Sequence, residues 1–457
     1  MTKKIVILGA GESGTGAAIL AKAKGFDVFV SDSGIIPPNS RIELHKHDID
    51  YEAGRHTEER VFAADEVIKS PGIPLNIPII QKLKDLGIPV IDEIEFAFRY
   101  TRAKFIGITG SNGKTTTTLM TYHLMKEAGM DVGLAGNVGH SLAKQVAEND
   151  REWFVVELSS FQLDSIEQFK PDIAVLLNIT PDHLNRYDGD FEKYIESKLR
   201  ITRNLNEQDS LVYFAQDKVL SEIVPSLDIG AAFFPIFKTG TPPGSGAYHL
   251  GEELFFSQEQ GTFSVDKIYL PLAGEHNLVN ALAAIQAATL AGVDPNTVGE
   301  NLKTFKNQPH RMEYITTING VDFVNDTKAT NVDAVYFALG SYNQPITWVA
   351  GGQDKGNDYD LIRDLAKEKV KALVCLGLDN APLTSYFEKL IPNISETQDV
   401  KEAARMAYEY SVANDVVLLS PACASFDLFE NYAKRGDLFK EAVWELKNEL
   451  EPNPEAI

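Results

Sequence analysis

The sequence predicts an α/β protein of three domains, and three observations support this prediction. Strand-like and helix-like segments alternate along nearly the whole chain, which is typical of domains with parallel sheets. A length of 457 residues is the length of about three domains. Three apolar strands, at Lys4–Leu8, Phe105–Thr109 and Val321–Asn325, each end in a loop of small residues that a helical stretch follows. We therefore expect domains at 1–93, 94–307 and 308–457.

The composition excludes several classes of protein. Hydrophobic residues make up 44% of the chain and charged residues 24%, which indicates a folded globular protein. The net charge of -22 is unsuited to nucleic acids and to anionic membrane surfaces. No apolar run reaches the roughly 18 residues of a membrane-spanning helix. Two cysteines, Cys375 and Cys423, exclude a disulfide scaffold and suit a reducing cytosol. We expect a cytoplasmic protein without nucleic-acid or membrane partners.

The first strand is followed by a glycine motif that favours a nucleotide. Gly9, Gly11 and Gly14 form the pattern G-x-G-x-x-G between strand and helix, and Asp32 ends the next strand. Such glycines let the backbone approach a diphosphate at the N-terminus of a helix. NAD is one candidate ligand, and a glycine turn without phosphate is the simpler alternative. Since nothing downstream resembles a hydride-transfer site, any nucleotide diphosphate fits.

The second strand is followed by the strongest motif. Its residues are Gly110, Ser111, Asn112, Gly113, Lys114, Thr115 and Thr116. Backbone N–H groups of such a loop surround phosphates, the lysine reaches the terminal ones, and a threonine hydroxyl can bind Mg²⁺. The strict pattern has a glycine five residues before Gly113, where this chain has Ile108. The strand before the loop and the helix after it still predict an NTP phosphate loop.

Candidate magnesium ligands lie further along the chain. Glu157 ends the apolar run Trp153–Glu157, and a carboxylate at a strand end can hold the ion. His183 follows the strand Ile173–Ile179, where a structural role is as reasonable as a functional one. Judged by chemistry alone, Lys198 resembles any lysine on a helix surface. The Gly- and Pro-rich segment Lys238–Gly251 is expected to be a surface loop.

The third part of the chain predicts a second ligand site. Loops 326–331, 351–356 and 420–427 follow apolar strands, and ligands bind at such strand ends in open parallel sheets. Arg311 lies at the expected domain junction, where it can stabilise a phosphoryl group in transfer or form an interdomain salt bridge. Cys423 has small neighbours and no histidine nearby in the sequence, which favours a packing role over a nucleophilic one.

Seven segments together resemble the Mur ligase family of bacterial peptidoglycan synthesis, and the resemblance covers the whole chain. They are Thr109–Thr116, Glu157–Leu163, Asn178–His183, Gly274–Ala281, Pro309–Arg311, Asn325–Asn331 and Leu419–Asp427. The C-terminal segments resemble the members that add D-glutamate. The resemblance implies a Rossmann-like N-terminal domain for a UDP substrate, a central P-loop ATPase domain, and a Rossmann-like C-terminal domain for the amino acid.

The resemblance also implies a reaction and its participants. D-glutamate would be joined to UDP-N-acetylmuramoyl-L-alanine through an acyl phosphate, with ATP, two Mg²⁺ ions and a monomeric enzyme whose domains close. The implied catalytic residues are Lys114, Glu157, His183, Lys198 and Arg311. The implied metal ligands are Thr115, Glu157, His183 and Lys198 carbamylated by CO₂. The implied ATP contacts beyond the loop are Asn277, Asn280, Arg311 and Asp326.

Two further sets of contacts follow from the resemblance. The UDP substrate would bind Gly11, Glu12, Ser13, Asp32, Ser70, Gly72, Asn137, Ser159 and Gln162. D-glutamate would bind Lys328, Thr330, Lys355, Ser425 and Phe426. Ser33 and Gly34 follow Asp32 where the family often has an arginine, so the contact at the uracil end is open. The alternatives are a folylpolyglutamate synthase, an NAD-binding sensor fused to an ATPase, and a non-catalytic binding protein.

Overall fold

The computed structural model describes residues 2–242, 244–258, 261–272, 274–307 and 309–451. Strands within these ranges form three sheets, which confirms the α/β class with three sheet-containing domains. The described residues fall into two compact units, within Met1–Pro271 plus Val279–Phe305 and within Leu272–Leu278 plus Lys306–Ile457. The first unit contains two sheets and the second contains one. The boundaries expected near residues 93 and 307 stay predictions.

The N-terminal sheet is parallel throughout. Its strands are β1 (Lys4–Leu8), β2 (Asp27–Asp32), β3 (Asp50–Ala53), β4 (Glu66–Lys69) and β5 (Val90–Asp92). Its helices are α1 (Glu12–Ala23), α2 (Pro38–Lys46), α3 (Glu58–Val61), α4 (Pro78–Asp85) and α5 (Glu93–Phe98). The strand order β3-β2-β1-β4-β5 reverses direction between β1 and β4. Such a reversal opens a crevice at the strand ends, and the glycine motif lies there.

The central sheet begins as a parallel sheet and is extended by antiparallel strands. Its strands are β6 (Lys104–Thr109), β7 (Val132–Gly136), β8 (Trp153–Glu157), β9 (Ile173–Leu176), β10 (Ser210–Phe214), β11 (Ala232–Phe237), β12 (Gly246–Leu250), β13 (Glu253–Gln258) and β14 (Gly261–Asp266). The helices are α6 (Lys114–Glu127), α7 (Leu142–Glu148), α8 (Ser160–Leu163), α9 (Phe191–Leu199), α10 (Leu220–Ile223), α11 (Glu275–Leu290) and α12 (Val298–Lys303). In the order β14-β13-β12-β11-β10-β9-β6-β8-β7, the phosphate-loop strand β6 lies between β8 and β9.

The surface loop expected at Lys238–Gly251 is wrong for its second half. Strand β12 pairs in parallel with β11 and antiparallel with β13. Ala247 is fully buried. Glycine and proline are local signals of a loop, whereas the pairing partner β13 becomes visible only in the folded sheet.

The C-terminal sheet places three loops side by side. Its strands are β15 (Glu313–Ile318), β16 (Val321–Asn325), β17 (Ile346–Ala350), β18 (Val370–Leu376), β19 (Asn393–Thr397) and β20 (Val416–Leu419). Its helices are α13 (Val332–Gly340), α14 (Arg363–Lys369), α15 (Ala381–Phe387), α16 (Val400–Glu409) and α17 (Tyr432–Leu450). The order is β15-β16-β20-β17-β18-β19, with β16, β20 and β17 parallel to one another. Loops 326–331, 420–427 and 351–356 therefore leave the same edge of the sheet.

No helix in the described ranges combines the length and the apolar character needed to cross a membrane.

Candidate active site

The glycine motif forms a tight turn at the end of β1. A Cβ at Gly14 would overlap with the carbonyl oxygen of Gly9, so helix and loop approach as closely as only glycine permits. The carboxylate of Asp32 accepts hydrogen bonds from the Ala10 amide at 2.6 Å and the Gly34 amide at 2.7 Å. Ser70 donates a hydrogen bond to the Gly9 carbonyl at 3.3 Å. The structure thus brings two predicted substrate residues, Asp32 and Ser70, to this loop.

The turn is open at Gly11, as far as the described residues show. A Cβ at Gly11 would meet no atom within 4 Å, and Glu12 is exposed in the first turn of α1. Ser13 is partly exposed beside it. The carbonyl of Gly72 accepts a hydrogen bond from Nη1 of Arg186 at 3.3 Å. The open space shown by these residues therefore lies beside Gly11, at the start of α1.

The phosphate loop lies between β6 and α6. Gly113 precedes the helix in the left-handed region with φ 83°, and a Cβ there would overlap with Oδ1 of Asn280. Nζ of Lys114 donates to the carbonyls of Gly110 and Ser111, at 2.8 Å each. Thr115 and Thr116 are buried in the first turn of α6. This geometry leaves the lysine ammonium over the loop, where a phosphate would lie.

The segment after β9 holds this loop in place. Oγ of Ser111 donates to the Thr180 carbonyl at 2.8 Å and accepts from the Thr180 amide at 2.9 Å. Asn178 makes the matching pair with Asn112, since its Oδ1 accepts from the Asn112 amide at 2.8 Å and its Nδ2 donates to the Asn112 carbonyl at 3.0 Å. The sequence motif contained Asn178, but its contact with the loop was not predicted.

Lys198 is buried, so its interpretation from chemistry alone as a surface lysine is wrong. It is 1% exposed, and its Nζ donates to the Gly110 carbonyl at 2.8 Å and to Oγ1 of Thr109 at 3.2 Å. Burial, and then the charge of Lys114, lower the pKa of the Lys198 amine well below its usual value. A local signal was present, because Tyr194 and Ile195 precede it by one helical turn and are buried too.

Glu157 offers a buried carboxylate oxygen at the end of β8, beside the strand that leads into the phosphate loop. It pairs with Ile108 in the β6–β8 register and is 1% exposed. Its Oε1 accepts from Nδ2 of Asn137 at 2.8 Å. Within the described ranges, its Oε2 has no hydrogen-bond partner. A buried carboxylate oxygen in this state is costly unless a cation or a donor binds it, so the group fits a Mg²⁺ ion.

His183 lies on the loop after β9 and is half exposed. Its backbone is left-handed, with φ 53°, and its Nε2 is 3.5 Å from Oδ2 of Asp182. The centre of its ring lies 5.2 Å from the centre of the Phe161 ring. The guanidinium of Arg186 also lies over the Phe161 ring, 4.3 Å from its centre. Asp182, Phe161 and Arg186 were not predicted as site residues. Asp182 precedes His183 on the same loop, whereas the contacts of Phe161 join α8 to that loop, and no local pattern reveals them.

Ser159 and Gln162 form a capping box at the start of α8. Oγ of Ser159 accepts from the Gln162 amide, while Oε1 of Gln162 accepts from the Ser159 amide at 3.0 Å. Gln162 is 2% exposed. The pair therefore has a structural role in this fold, and its contact with the UDP substrate stays a prediction.

In the second unit, Asp326 is a buried acid at the end of β16. Its Oδ1 accepts from the Met312 amide at 3.2 Å and its Oδ2 from Oγ of Ser420 at 3.0 Å. Burial raises the pKa of the Asp326 carboxyl to about 7, although both hydrogen bonds and the charge of Arg311 act in the opposite direction. Such perturbed groups are common at functional sites. Asn277 is buried in the same unit.

The residues predicted for D-glutamate lie on the three loops of the C-terminal sheet. Nζ of Lys328 is 3.8 Å from the ring centre of Tyr432, and Thr330 is half-buried. Lys355 and Phe426 are exposed, while Ser425 between the loops is buried. Exposed cationic and aromatic groups at one sheet edge can take up a charged ligand.

Cys423 is buried, and burial raises the pKa of its thiol to about 11. The packing role expected for it therefore agrees with its surroundings, because a thiol in this state is a poor nucleophile at neutral pH.

Comparison with known proteins gives three family models that match successive parts of the chain. They are "Mur ligase MurD-like, N-terminal domain" over residues 3–92, "Mur ligase middle domain" over 108–288, and "Mur ligase, glutamate ligase domain" over 310–423. The UDP-N-acetylmuramoylalanine–D-glutamate ligase of Bacteroides fragilis is 49% identical over 445 residues, which cover 97% of this chain and 100% of the relative.

Solved structures resemble the whole chain as well. A pseudomurein peptide ligase type C from Methanothermus fervidus matches with a TM-score of 0.63 and 21% identity, covering 98% of this chain and 100% of that one. The MurF ligase from Thermotoga maritima in complex with ADP matches with a TM-score of 0.60 and 18% identity, covering 94% and 99%. These likenesses support the fold. The family models and the relative from Bacteroides show that this chain belongs to the Mur ligase family.

Proposed function

We propose that this chain joins D-glutamate to UDP-N-acetylmuramoyl-L-alanine and converts ATP to ADP and phosphate. The observation that carries the proposal is the 49% identity to the Bacteroides ligase over almost the full length of both chains. The geometry agrees with an ATP-dependent ligase, since the phosphate loop, Lys114 and the buried carboxylate of Glu157 lie at neighbouring strand ends of one sheet.

ATP would bind along the phosphate loop from Gly110 to Thr116. Lys114 would exchange its two carbonyl partners for phosphate oxygens, because a charged acceptor makes the stronger hydrogen bond. Asn280 already touches the loop at Gly113. Contacts of Asn277, Arg311 and Asp326 with the nucleotide stay predictions.

Two Mg²⁺ ions are expected at this site, where they would neutralise phosphate charge. Suitable oxygen ligands are the hydroxyl of Thr115 and Oε2 of Glu157, which has no hydrogen-bond partner in the part of the chain that the structure describes. His183 and carbamylated Lys198 complete the proposed set. The lowered pKa of Lys198 supports this assignment, because a neutral amine can attack CO₂ whereas an ammonium cannot.

The chemistry proceeds in two steps. The L-alanyl carboxylate attacks the γ-phosphorus of ATP, which forms an acyl phosphate and releases ADP. The amine of D-glutamate then attacks the acyl carbon, the amide bond forms, and phosphate leaves while the amine loses its proton. Once ATP is bound, Lys114 stabilises the negative charge that develops during the first step, and a positive group that is already in place then needs no further rearrangement.

The two substrates would bind at the loops described for each sheet. The glycine turn, with Gly11, Glu12, Ser13, Asp32, Ser70 and Gly72, is proposed for the UDP part, and Asn137 for the part near the reacting carboxylate. Lys328, Thr330, Lys355, Ser425 and Phe426 are proposed for D-glutamate, whose two carboxylates call for cationic partners. A monomeric, cytoplasmic enzyme remains our expectation.

Phosphate release tests the proposal. ATP, Mg²⁺ and UDP-N-acetylmuramoyl-L-alanine would be combined with D-glutamate, L-glutamate or no amino acid, and the product mass would be measured. Release that requires both the UDP substrate and D-glutamate, with the mass of the amide product, is expected. Lys114→Ala should abolish it, whereas Lys126→Ala, an exposed lysine on the same helix α6, should not. Release that is indifferent to both substrates would contradict the proposal.

A further inference from the structure

Arg435 is a buried arginine in the first turn of α17. It is 1% exposed, and its guanidinium donates four hydrogen bonds. Nε donates to Oγ1 of Thr327 at 2.9 Å, and Nη1 to the Gly351 carbonyl at 3.1 Å. Nη2 donates to the carbonyls of Thr327 at 3.1 Å and Cys423 at 3.2 Å. A planar, forked group makes several such bonds at once in a way that a lysine cannot.

The acceptors of Arg435 belong to three different loops. Thr327 lies in loop 326–331, Gly351 in loop 351–356, and Cys423 in loop 420–427. These loops follow β16, β17 and β20, which are neighbours in the C-terminal sheet. They also carry every residue proposed above for D-glutamate. One side chain, which the sequence did not point to, therefore connects all parts of that proposed site.

The charge of Arg435 is not balanced by a direct partner. Among the residues that the structure describes, no carboxylate forms an ion pair with it, and its acceptors are neutral oxygens. Burial lowers the pKa of Arg435 to about 10, while the negative charge of Asp427 acts in the opposite direction. The side chain is still cationic at neutral pH, and burial weakens the screening of its field by water.

Resting on the proposed function, we propose that Arg435 is a positioning residue for D-glutamate. By holding the three loops in one arrangement, it sets the spacing of the groups that receive the amino acid. Its positive charge, which forms no ion pair among the described residues, also favours an amino acid with a second carboxylate. Arg435 does not touch the reacting atoms in this role. Its loss should therefore weaken the use of D-glutamate far more than the use of the UDP substrate.

Variants of Arg435 and of its partner test this role. Arg435→Lys keeps the charge but lacks the fork, so it cannot make all four bonds. Thr327→Val removes the acceptor of Nε, whereas Thr327→Ser retains it. Phe439→Leu is the control, because Phe439 lies one turn further along α17 and is fully buried in the core. KM for D-glutamate, KM for the UDP substrate, kcat and the midpoint of thermal unfolding would be measured for each.

We expect Arg435→Lys and Thr327→Val to raise KM for D-glutamate at least fivefold, with KM for the UDP substrate within twofold of wild type. Thr327→Ser should have the wild-type KM for D-glutamate. Phe439→Leu should lower the midpoint of thermal unfolding but leave KM for D-glutamate unchanged. If Arg435→Lys does not fold, the two Thr327 variants decide. A rise below fivefold, or an equal rise in Phe439→Leu, would overturn the inference. A wild-type protein that does not use D-glutamate would overturn the proposed function, and this inference with it.

Discussion

The buried carboxyl group of Asp326 gives a prediction in which stability and activity change in opposite directions. Replacement by asparagine can keep both contacts, since Oδ1 still accepts from the Met312 amide and Nδ2 can donate to the hydroxyl of Ser420. The substitution removes only the charge. Because Asp326 is a proposed nucleotide contact, Asp326→Asn should raise KM for ATP.

The magnitude follows from the pKa. The carboxyl titrates near 3.8 in the unfolded chain and at about 7 in the folded protein. Between these values the folded state holds a proton that the unfolded state has released, so wild-type stability falls as pH rises through this window. At 1.36 kcal/mol per pKa unit, ionisation of Asp326 lowers the free energy of unfolding by about 4 kcal/mol at pH 8 and by about 1.5 kcal/mol at pH 5. Asp326→Asn should be more stable by these amounts.

Tryptophan fluorescence can follow the unit that contains Asp326. The chain has three tryptophans, Trp153, Trp348 and Trp444, and only Trp153 lies in the first unit. In a Trp153→Phe background, urea unfolding would therefore report on the second unit. Other titrating groups are shared by the two proteins compared, so their contributions cancel. A stability difference that does not grow between pH 5 and pH 8, or a less stable variant at pH 8, would refute the reasoning.

Three further predictions concern the phosphate loop and the thiols. Gly113→Ala forces a side chain into left-handed backbone and against Asn280, so unfolding should become easier by at least about 1 kcal/mol and ATP should bind more weakly in calorimetry; wild-type values would contradict this. Lys198→Ala should lower kcat for phosphate release by at least about 100-fold, and wild-type activity would remove Lys198 from the site. Burial raises the pKa of the Cys375 thiol to about 12 and that of the Cys423 thiol to about 11. A thiol reagent at pH 8 should therefore modify them only after denaturation. Rapid reaction of the native protein would count against their burial.

Local patterns predicted the strands and glycine loops well. Strands β1, β8 and β16 have the predicted ends, because each is a short apolar run that stops at a polar or small residue. The phosphate loop was predictable for the same reason, because a continuous stretch of sequence sets both its backbone geometry and its residue types. The strand β12 was missed because pairing with β13 outweighs the preferences of its glycine and proline neighbours.

Side chains that act across loops were harder to predict. Burial of Lys198 depends on the face of α9 that meets the phosphate loop, so the charged residue type was misleading without the family resemblance. Arg435 is the stronger case, because its partners lie 12 to 108 residues away in the sequence. Such a residue is recognised only when the loops that it joins are seen together.

The paired contacts of the phosphate loop have a consequence for nucleotide affinity. Ser111 is held by three hydrogen bonds to the segment after β9, and Asn112 is held by two. Ordering a flexible backbone costs about 1–2 kcal/mol of conformational entropy per residue. A loop that is already ordered avoids most of this loss when ATP binds, so more of the contact energy remains as binding free energy.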